Sequence, residues 1–246
     1  MCTLVICRRP GEKWPVLIAA NRDEKLNRPW LPPARHWPDR SDVYGGKDLL
    51  KGGTWLAIND FGVVAAVLNR EGSLGPKEGL RTRGELPLEA LDHADADTAV
   101  EMLSDIQKGS FRSFNLVVAD NESAYWLKSD SIAGNGRVEV FEIPRGFSMI
   151  TSADLNDSGS PRIKRFLPYF ERAKLPDIES GDWNSWKMLL MDSNYDPKQG
   201  ADSAMFIKNN SGFGTVSSAL IALPNKEYQG VSSKFWFTNS RDTNLD

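Results

Sequence analysis

Two apolar stretches near the start of the chain, Cys2-Thr3-Leu4-Val5-Ile6-Cys7 and Val16-Leu17-Ile18-Ala19-Ala20, decide the fold. Short apolar runs bounded by turn residues are typical of buried strands. Between them lies Arg9-Pro10-Gly11-Glu12-Lys13, in which proline and glycine turn the chain. The sequence therefore predicts a hairpin. It would bring the polar residues after the second strand, Asn21-Arg22-Asp23-Glu24, next to the start of the chain.

The later sequence indicates more hairpins, with short helices grouped between them. The runs 54–58 and 63–68 flank Asn59-Asp60-Phe61-Gly62, a strong hairpin signal. Helices are predicted over 85–91, from Thr98 to Gly109 with a capping box at Thr98 and Glu101, over 161–170 and along 183–190. Further strands are predicted at 114–119, 124–127, 138–141, 147–151, 217–223 and 234–238, with a turn at 209–212. This order favours an α+β fold, which we assign to a single domain over residues 1–246.

The segment from Asn21 to Lys51 differs from its surroundings. Four prolines interrupt it, and Trp30 and Trp37 within it need burial. We expect a long ordered loop here, because prolines break regular structure and long loops in compact domains are often functional.

Composition excludes several classes of protein. Of 246 residues, 40% are hydrophobic and 26% charged, as in ordinary globular proteins. Lys plus Arg number 30 against 33 for Asp plus Glu, so no basic excess suggests a dedicated surface for nucleic acid. The apolar start is too short for a signal peptide, and no stretch approaches the roughly 20 residues of a membrane span. We therefore expect a cytoplasmic protein, with its oligomeric state left open.

Metals and cofactors are not expected from the residues. His36 and His93 have no partner at the spacing of metal ligands. The glycine pairs at 45–46 and 52–53 do not form the phosphate-binding pattern of a P-loop. The two cysteines, Cys2 and Cys7, cannot form a disulfide framework.

Cys2 is the residue that most directly suggests chemistry. Removal of Met1 would leave it with a free α-amine next to its thiol, so one residue would hold both nucleophile and base. The ordinary pKa values are about 8.5 for the thiol and 7.7–8.0 for the amine, so moving the proton costs roughly 1 kcal/mol or less. The alternative is an inert cysteine buried in a strand. We interpret Cys7 as a packing residue.

The polar cluster after the second strand offers possible partners for that terminus. Asp23 could hold an ammonium group, and Arg22 could bind a substrate anion or orient the thiolate. The alternative is a solvated turn with one weak ion pair.

Several motifs together resemble the NRDE family, which includes the transport-and-Golgi-organisation 2 proteins. The specific ones are Met1-Cys2-Thr3-Leu4, Ala20-Asn21-Arg22-Asp23-Glu24 and Gly52-Gly53-Thr54-Trp55-Leu56-Ala57, with Leu68-Asn69-Arg70 after them. Weaker ones are Arg81-Thr82-Arg83-Gly84, Phe147-Ser148 and Phe213-Gly214-Thr215. The family in turn resembles N-terminal-nucleophile hydrolases of the choloylglycine hydrolase and penicillin V acylase type.

This resemblance implies a four-layer αββα sandwich of two mainly antiparallel sheets, with the terminal cysteine at the mouth of a cleft. It implies that Cys2 is the nucleophile, that Asp23 is the acid near its amine, with Arg22 beside it, and that Asn69 or the Arg70 amide helps to hold the oxyanion. We assign substrate binding to Asn21, Arg70, Trp55 and Ser152, with the alternative that the tryptophans only fill the core.

Three positions depart from the pattern of those hydrolases. Ala20 stands where they carry an arginine before the acid, Ser152 replaces an asparagine, and Val216 occupies the place of a second arginine.

The first hypothesis is therefore an amide hydrolase or acyltransferase that uses Cys2 on a small acyl or amide compound. The second is a non-enzymatic carrier of an apolar ligand such as haem or lipid, because eukaryotic family members are linked to secretory organisation and to lipid or haem handling. Haem would then be a ligand rather than a cofactor. A structural or interaction protein is the fallback.

Overall fold

The two apolar stretches form the predicted hairpin in the computed structural model, which describes residues 2–107, 109–130, 137–208, 211–228 and 230–240. The first strand is β1 (Thr3–Arg8) and the second is β2 (Val16–Lys25). They pair antiparallel, with Thr3 opposite Asn21 and Arg8 opposite Val16. This register brings the motif residues 21–24 to the end of the hairpin where the chain begins.

The remaining elements follow in chain order. The other strands are β3 (Trp30–Ala34), β4 (Val43–Asp48), β5 (Leu56–Asn59), β6 (Val64–Asn69), β7 (Phe114–Ala119), β8 (Ala124–Ser129), β9 (Glu139–Glu142), β10 (Gly146–Ile150), β11 (Phe213–Leu223) and β12 (Lys234–Asn239). The helices are α1 (Glu85–Ala90), α2 (Ala96–Ser104), α3 (Pro161–Arg172) and α4 (Asn184–Leu190), with a 3-10 turn at Ala201–Ser203.

The chain divides into two compact units. The terminal unit comprises Met1–Arg28 and Pro144–Asp246, and the central unit comprises Pro29–Ile143. The terminal unit contains a five-stranded sheet in the order β10-β1-β2-β11-β12, and the central unit a seven-stranded sheet in the order β3 to β9. All described strand pairs are antiparallel, so the predicted α+β class is confirmed. The assignment of residues 1–246 to one domain stays a prediction.

Each unit packs its helices on one face of its sheet. In the terminal unit, Val5, Cys7 and Leu17 pack in one buried cluster with Phe166 of α3 and Trp186 of α4. In the central unit, a second buried cluster joins residues of β4 to β8 to the apolar faces of α1 and α2. Each unit therefore has the sheet and the helical layer that the αββα arrangement requires of it.

The predicted long loop over residues 21–51 is wrong, because strands occupy much of it. Strand β2 continues to Lys25, and β3 and β4 form a second hairpin. Pro32 and Pro33 lie in β3, which is the edge strand of its sheet and changes register between Leu31 and Ala34. An edge strand bonds on one side only, so it tolerates residues that lack an N–H group.

The predicted capping box of α2 is also wrong. Asp95 caps the helix, since its Oδ1 accepts a hydrogen bond from the Thr98 backbone nitrogen at 2.7 Å. The helix consequently begins at Ala96, and it ends at Ser104, well before Gly109. Aspartate is as good an N-cap as threonine, and this Asp95 precedes Thr98 by the three residues that a cap needs.

The hairpin predicted around residues 59–62 is confirmed, and its asparagine explains the turn. Strands β5 and β6 pair with Ile58 opposite Val64. Asn59 Oδ1 accepts hydrogen bonds from the backbone nitrogens of Phe61 and Val63 at 3.1 and 2.9 Å. Gly62 has a φ of 88°, a conformation that glycine adopts without steric cost.

Gly53 and Gly84 come from two different family motifs and lie in direct backbone contact in the central unit. A Cβ atom on Gly53 would lie 2.4 Å from the Gly84 carbonyl carbon. The adjacent Thr54 nitrogen donates a hydrogen bond to the Gly84 oxygen at 2.9 Å. The two motifs are therefore partly explained by this close approach.

We predict that Gly53→Ala destabilises the protein by about 1–3 kcal/mol, because the added methyl group must push backbone apart. Denaturant unfolding measures the loss. Gly109→Ala is the matched control, since a Cβ atom there meets nothing within 4 Å. Equal unfolding free energies for the two variants would contradict the packing explanation.

Candidate functional site

Cys2 lies just before β1, and its side chain is half-buried. Its Sγ donates a hydrogen bond to the Asp23 carbonyl oxygen, 3.6 Å away. Side chains alternate between the two faces of a strand, so Cys2 and Leu4 share one face while Thr3 and Cys7 share the other. Cys7 is buried in the core against the helices, in agreement with its interpretation as a packing residue.

The Asp23 carboxylate is held by a buried ion pair. Asp23 Oδ2 accepts a hydrogen bond from Arg162 Nη1 at 2.8 Å, and the two side chains are 0% and 2% exposed. The same Nη1 donates to Thr3 Oγ1 at 2.6 Å, and Nη2 donates to the Asp202 carbonyl at 2.7 Å. One guanidinium thus links β1, β2 and the 3-10 turn to the first turn of α3.

A β-bulge supplies a second partner for this carboxylate. In the pairing of β11 with β2, Thr215 lies opposite Asp23 and Ser217 opposite Arg22, so Val216 is the extra residue. Thr215 Oγ1 donates to Asp23 Oδ1 at 2.6 Å and accepts a hydrogen bond from the Ile207 nitrogen at 2.8 Å. Both bonds fix the hydroxyl, and the bulge turns it toward Asp23.

Burial raises the pKa of the Cys2 thiol above its ordinary value. Loss of solvation is the largest cause, because a buried sulfur is less stable as a thiolate. The negative charge of Asp23 adds to the rise, and the Arg22 guanidinium opposes it. In this arrangement the thiol is protonated at neutral pH and needs a base before it can act as a nucleophile.

The other predicted residues of the terminal unit divide between two environments. Arg22 is 6% exposed, and continuing the β1–β2 register by one residue places it beside Cys2. Ser152, also buried, follows the end of β10 by two residues, and continuing the β1–β10 register by two residues places it beside Cys2. The Asn21 amide instead donates to the Leu190 and Met205 carbonyls, both at 2.8 Å, so its hydrogens serve the fold.

A family model for Transport and Golgi organisation 2 matches residues 1–233. The chain belongs to this family. It is 35% identical over 120 residues to the Transport and Golgi organization protein 2 homolog of Bos taurus, a match that covers 46% of this chain and 42% of that protein. The Homo sapiens homolog is 35% identical over 128 residues, covering 47% and 43%. The matched part is thus less than half of these relatives' length.

Two solved structures share the fold. The Caenorhabditis elegans N-acylethanolamine-hydrolyzing acid amidase ortholog matches with a TM-score of 0.54 and 15% identity, over 96% of this chain and all of that one. The C2A mutant of the conjugated bile acid hydrolase from Clostridium perfringens matches with a TM-score of 0.51 and 14% identity, over 100% and 94%. At these identities the likeness confirms the N-terminal-nucleophile hydrolase fold and nothing about activity.

Three residues assigned from the family resemblance lie in the central unit. Asn69 ends β6 opposite Phe114. Arg70 binds Asp130 Oδ1 through Nε at 2.6 Å and Asn115 Oδ1 through Nη1 at 2.7 Å. Trp55 packs edge-to-face on Trp30, with ring centroids 5.7 Å apart. Their roles in catalysis and substrate binding stay predictions.

The sequence analysis did not assign Arg162 and Thr3 to the site, and it included Thr215 only as part of the weak motif Phe213-Gly214-Thr215. Arg162 has one signal in the sequence. It precedes Phe166 and Phe170 at intervals of four, on the buried face of α3, where an arginine must be paired. The sequence does not indicate that Asp23 is the partner of Arg162, because the two residues are 139 positions apart.

Among the described residues, no helix is long and apolar enough to cross a membrane. Within the same part of the chain, no group of three or more His, Cys, Asp or Glu residues is placed to hold a metal ion.

The raised thiol pKa predicts slow alkylation of Cys2 while its nitrogen is an amide. In Cys7→Ala protein with an uncleaved N-terminal extension, the iodoacetamide rate should reach half its maximum at a pH above the ordinary thiol pKa of about 8.5. At any pH below this midpoint the folded protein then has a smaller thiolate fraction than an ordinary cysteine, so its alkylation rate is lower. Mass spectrometry follows the reaction, with the guanidinium-unfolded chain as control. A midpoint equal to the control's would refute the effect of burial.

Proposed function

We propose that the protein is an N-terminal-nucleophile amide hydrolase or acyltransferase that uses Cys2, after removal of Met1, on a small acyl or amide compound. The observation that carries the proposal is the placement of Cys2 at the start of β1 against Asp23, whose carboxylate is fixed by Arg162 and Thr215. Family membership and the shared fold support it. One of the solved structures is itself named for a C2A change in a bile acid hydrolase.

The chemistry follows from the raised pKa of the thiol. Proton transfer from Sγ to the free α-amine of Cys2 generates the thiolate that the buried sulfur would not form unaided. The thiolate attacks the acyl carbon, a C–S bond forms, and the carbonyl electron pair moves to oxygen. The ammonium then returns its proton to the leaving amine as the C–N bond breaks, which leaves a thioester. Water or an acceptor amine attacks the thioester and releases Cys2.

Asp23 has the chemistry to hold the amine during these steps. An ionised carboxylate offers about four lone-pair sites, so it can accept more hydrogen bonds than those from Arg162 and Thr215. Arg22, the neighbour of Cys2 in register, would favour the thiolate through its positive charge. The oxyanion and substrate roles of Asn69, Arg70 and Trp55 are not needed for this part of the proposal.

The proposal predicts acylation of Cys2 in protein whose intact mass shows that Met1 is absent. In Cys7→Ala protein, p-nitrophenyl acetate should give a hydroxylamine-sensitive acetyl adduct and release more than one equivalent of p-nitrophenol per chain. Cys2→Ala should lose the adduct. An uncleaved N-terminal extension should slow acylation by about 10²–10⁴-fold, because it removes the base.

Two results would count against the enzyme. Unchanged labelling of Cys2→Ala rejects Cys2 as the nucleophile. Equal rates with and without the N-terminal extension reject the α-amine as the base.

Carriage of an apolar ligand without chemistry is the second candidate. The raised pKa of Cys2 argues against unaided attack by the thiol, because a protonated buried thiol is a poor nucleophile, and ligand binding without chemistry is then the alternative. Haem is the probe for this function, titrated by visible absorption into wild-type and Cys2→Ala protein. Saturable binding by both proteins, together with no acylation of the free-terminus form, would favour the carrier over the enzyme.

A further inference from the structure

Arg162 is the buried cation around which the start of the chain is arranged. Its Nη1 lies 2.6 Å from Thr3 Oγ1 and 2.8 Å from Asp23 Oδ2. Thr3 is the residue directly after Cys2, and the Asp23 carbonyl accepts the hydrogen bond from the Cys2 thiol. The guanidinium therefore holds both chain segments that locate Cys2.

The position of Arg162 in its helix suggests a role beyond helix stability. It is the second residue of α3, after Pro161 and the Ser160 cap, where the unpaired backbone N–H groups make the helix end positive. A cation there is unfavourable. Its bonds to Thr3, Asp23 and Asp202 offset this cost, and two of these partners lie in the hairpin at the start of the chain.

We infer that Arg162 is a positioning residue for Cys2, which fixes Thr3 and Asp23 and offsets the Asp23 charge so that the Cys2 amine can release its proton. This inference rests on the proposed function, in which that amine is the base.

The electrostatic argument follows from the charges around the amine. A carboxylate alone would stabilise the ammonium form and raise the amine's pKa from its ordinary 7.7–8.0, which would make it a weaker base at neutral pH. The positive charge of Arg162, paired with that carboxylate from α3, would oppose this effect, and so would the Arg22 guanidinium, which lies beside Cys2 in register. Asp202 contributes its backbone carbonyl to the cluster, while its side chain is exposed.

The test is the pH profile of Cys2 alkylation by iodoacetamide in Cys7→Ala protein with a free Cys2 terminus. We expect Arg162→Met to raise the midpoint by about one pH unit, and so to slow alkylation near pH 7 about tenfold. Arg162→Lys keeps the positive charge but loses the planar guanidinium that donates to two partners at once, so it should raise the midpoint by less than Arg162→Met does. Arg165→Met is the matched control. It removes the same charge from the same helix, where Arg165 lies 3.8 Å from Asp192.

A double variant, Arg162→Met with Asp23→Asn, keeps the test informative if the single change prevents folding. It leaves no uncompensated buried charge, and its midpoint should lie at or below the parent's, because the Asp23 charge that raises it is gone. Circular dichroism checks the fold of each variant. A double-variant midpoint about one pH unit above the parent's overturns the inference, because the rise would then not come from the exposed Asp23 charge. The inference is also overturned if the folded Arg162 variants have the same pH profile of alkylation as Arg165→Met.

Alkylation requires no acyl transfer, so the two proposals fail separately. If Arg162→Met leaves the alkylation midpoint unchanged while Cys2 is still acylated, the positioning role is rejected and the proposed enzyme is not. If Arg162→Met shifts the midpoint but Cys2 is not acylated, the positioning of the amine and thiol is supported and the proposed hydrolase is rejected.

Discussion

The buried ion pair between Arg162 and Asp23 is the interaction that holds the terminal unit together at the end where the chain begins. Two charges that are almost wholly removed from water stay stable only if each is paired and hydrogen-bonded. Thr3, Thr215 and the Asp202 carbonyl add hydrogen bonds to the two charged groups. Because these partners come from separate elements, the start of the chain is located by a contact between distant parts of the sequence.

The Cys2 thiol and the residues that fix its backbone lie on opposite faces of the sheet. Cys2 and Arg22 lie toward one face of the sheet, whereas Asp23 and Thr3 direct their side chains to the helical face. The strand alternation that places Cys7 in the core thus also places Thr3 against Arg162. Chemistry at the thiol can therefore depend on residues that the thiol does not touch, through the backbone of Cys2 and Asp23.

Local patterns predicted the hairpins well, because their signals lie within a few residues. Such signals correctly predicted the turn at Asn59 and the helix along 183–190, which Trp183 caps. The prolines at 32 and 33 misled the prediction, since sequence cannot say that β3 is an edge strand until the sheet order is known. Motifs singled out Cys2 and Asp23 as the candidate nucleophile and acid, and these roles stay predictions. They could not indicate the partner of Asp23, because Arg162 lies 139 positions away in the sequence.

The same distance limits what a short motif can record. A motif contains only the partners that one strand and its turn contribute. Position 20 lies opposite Leu4, on the face of the sheet that Cys2 shares, whereas Arg162 binds Asp23 from the helical face, so Arg162 does not stand in for an arginine at position 20. It meets a separate requirement, because a buried carboxylate needs a cation beside it whichever part of the sequence supplies that cation.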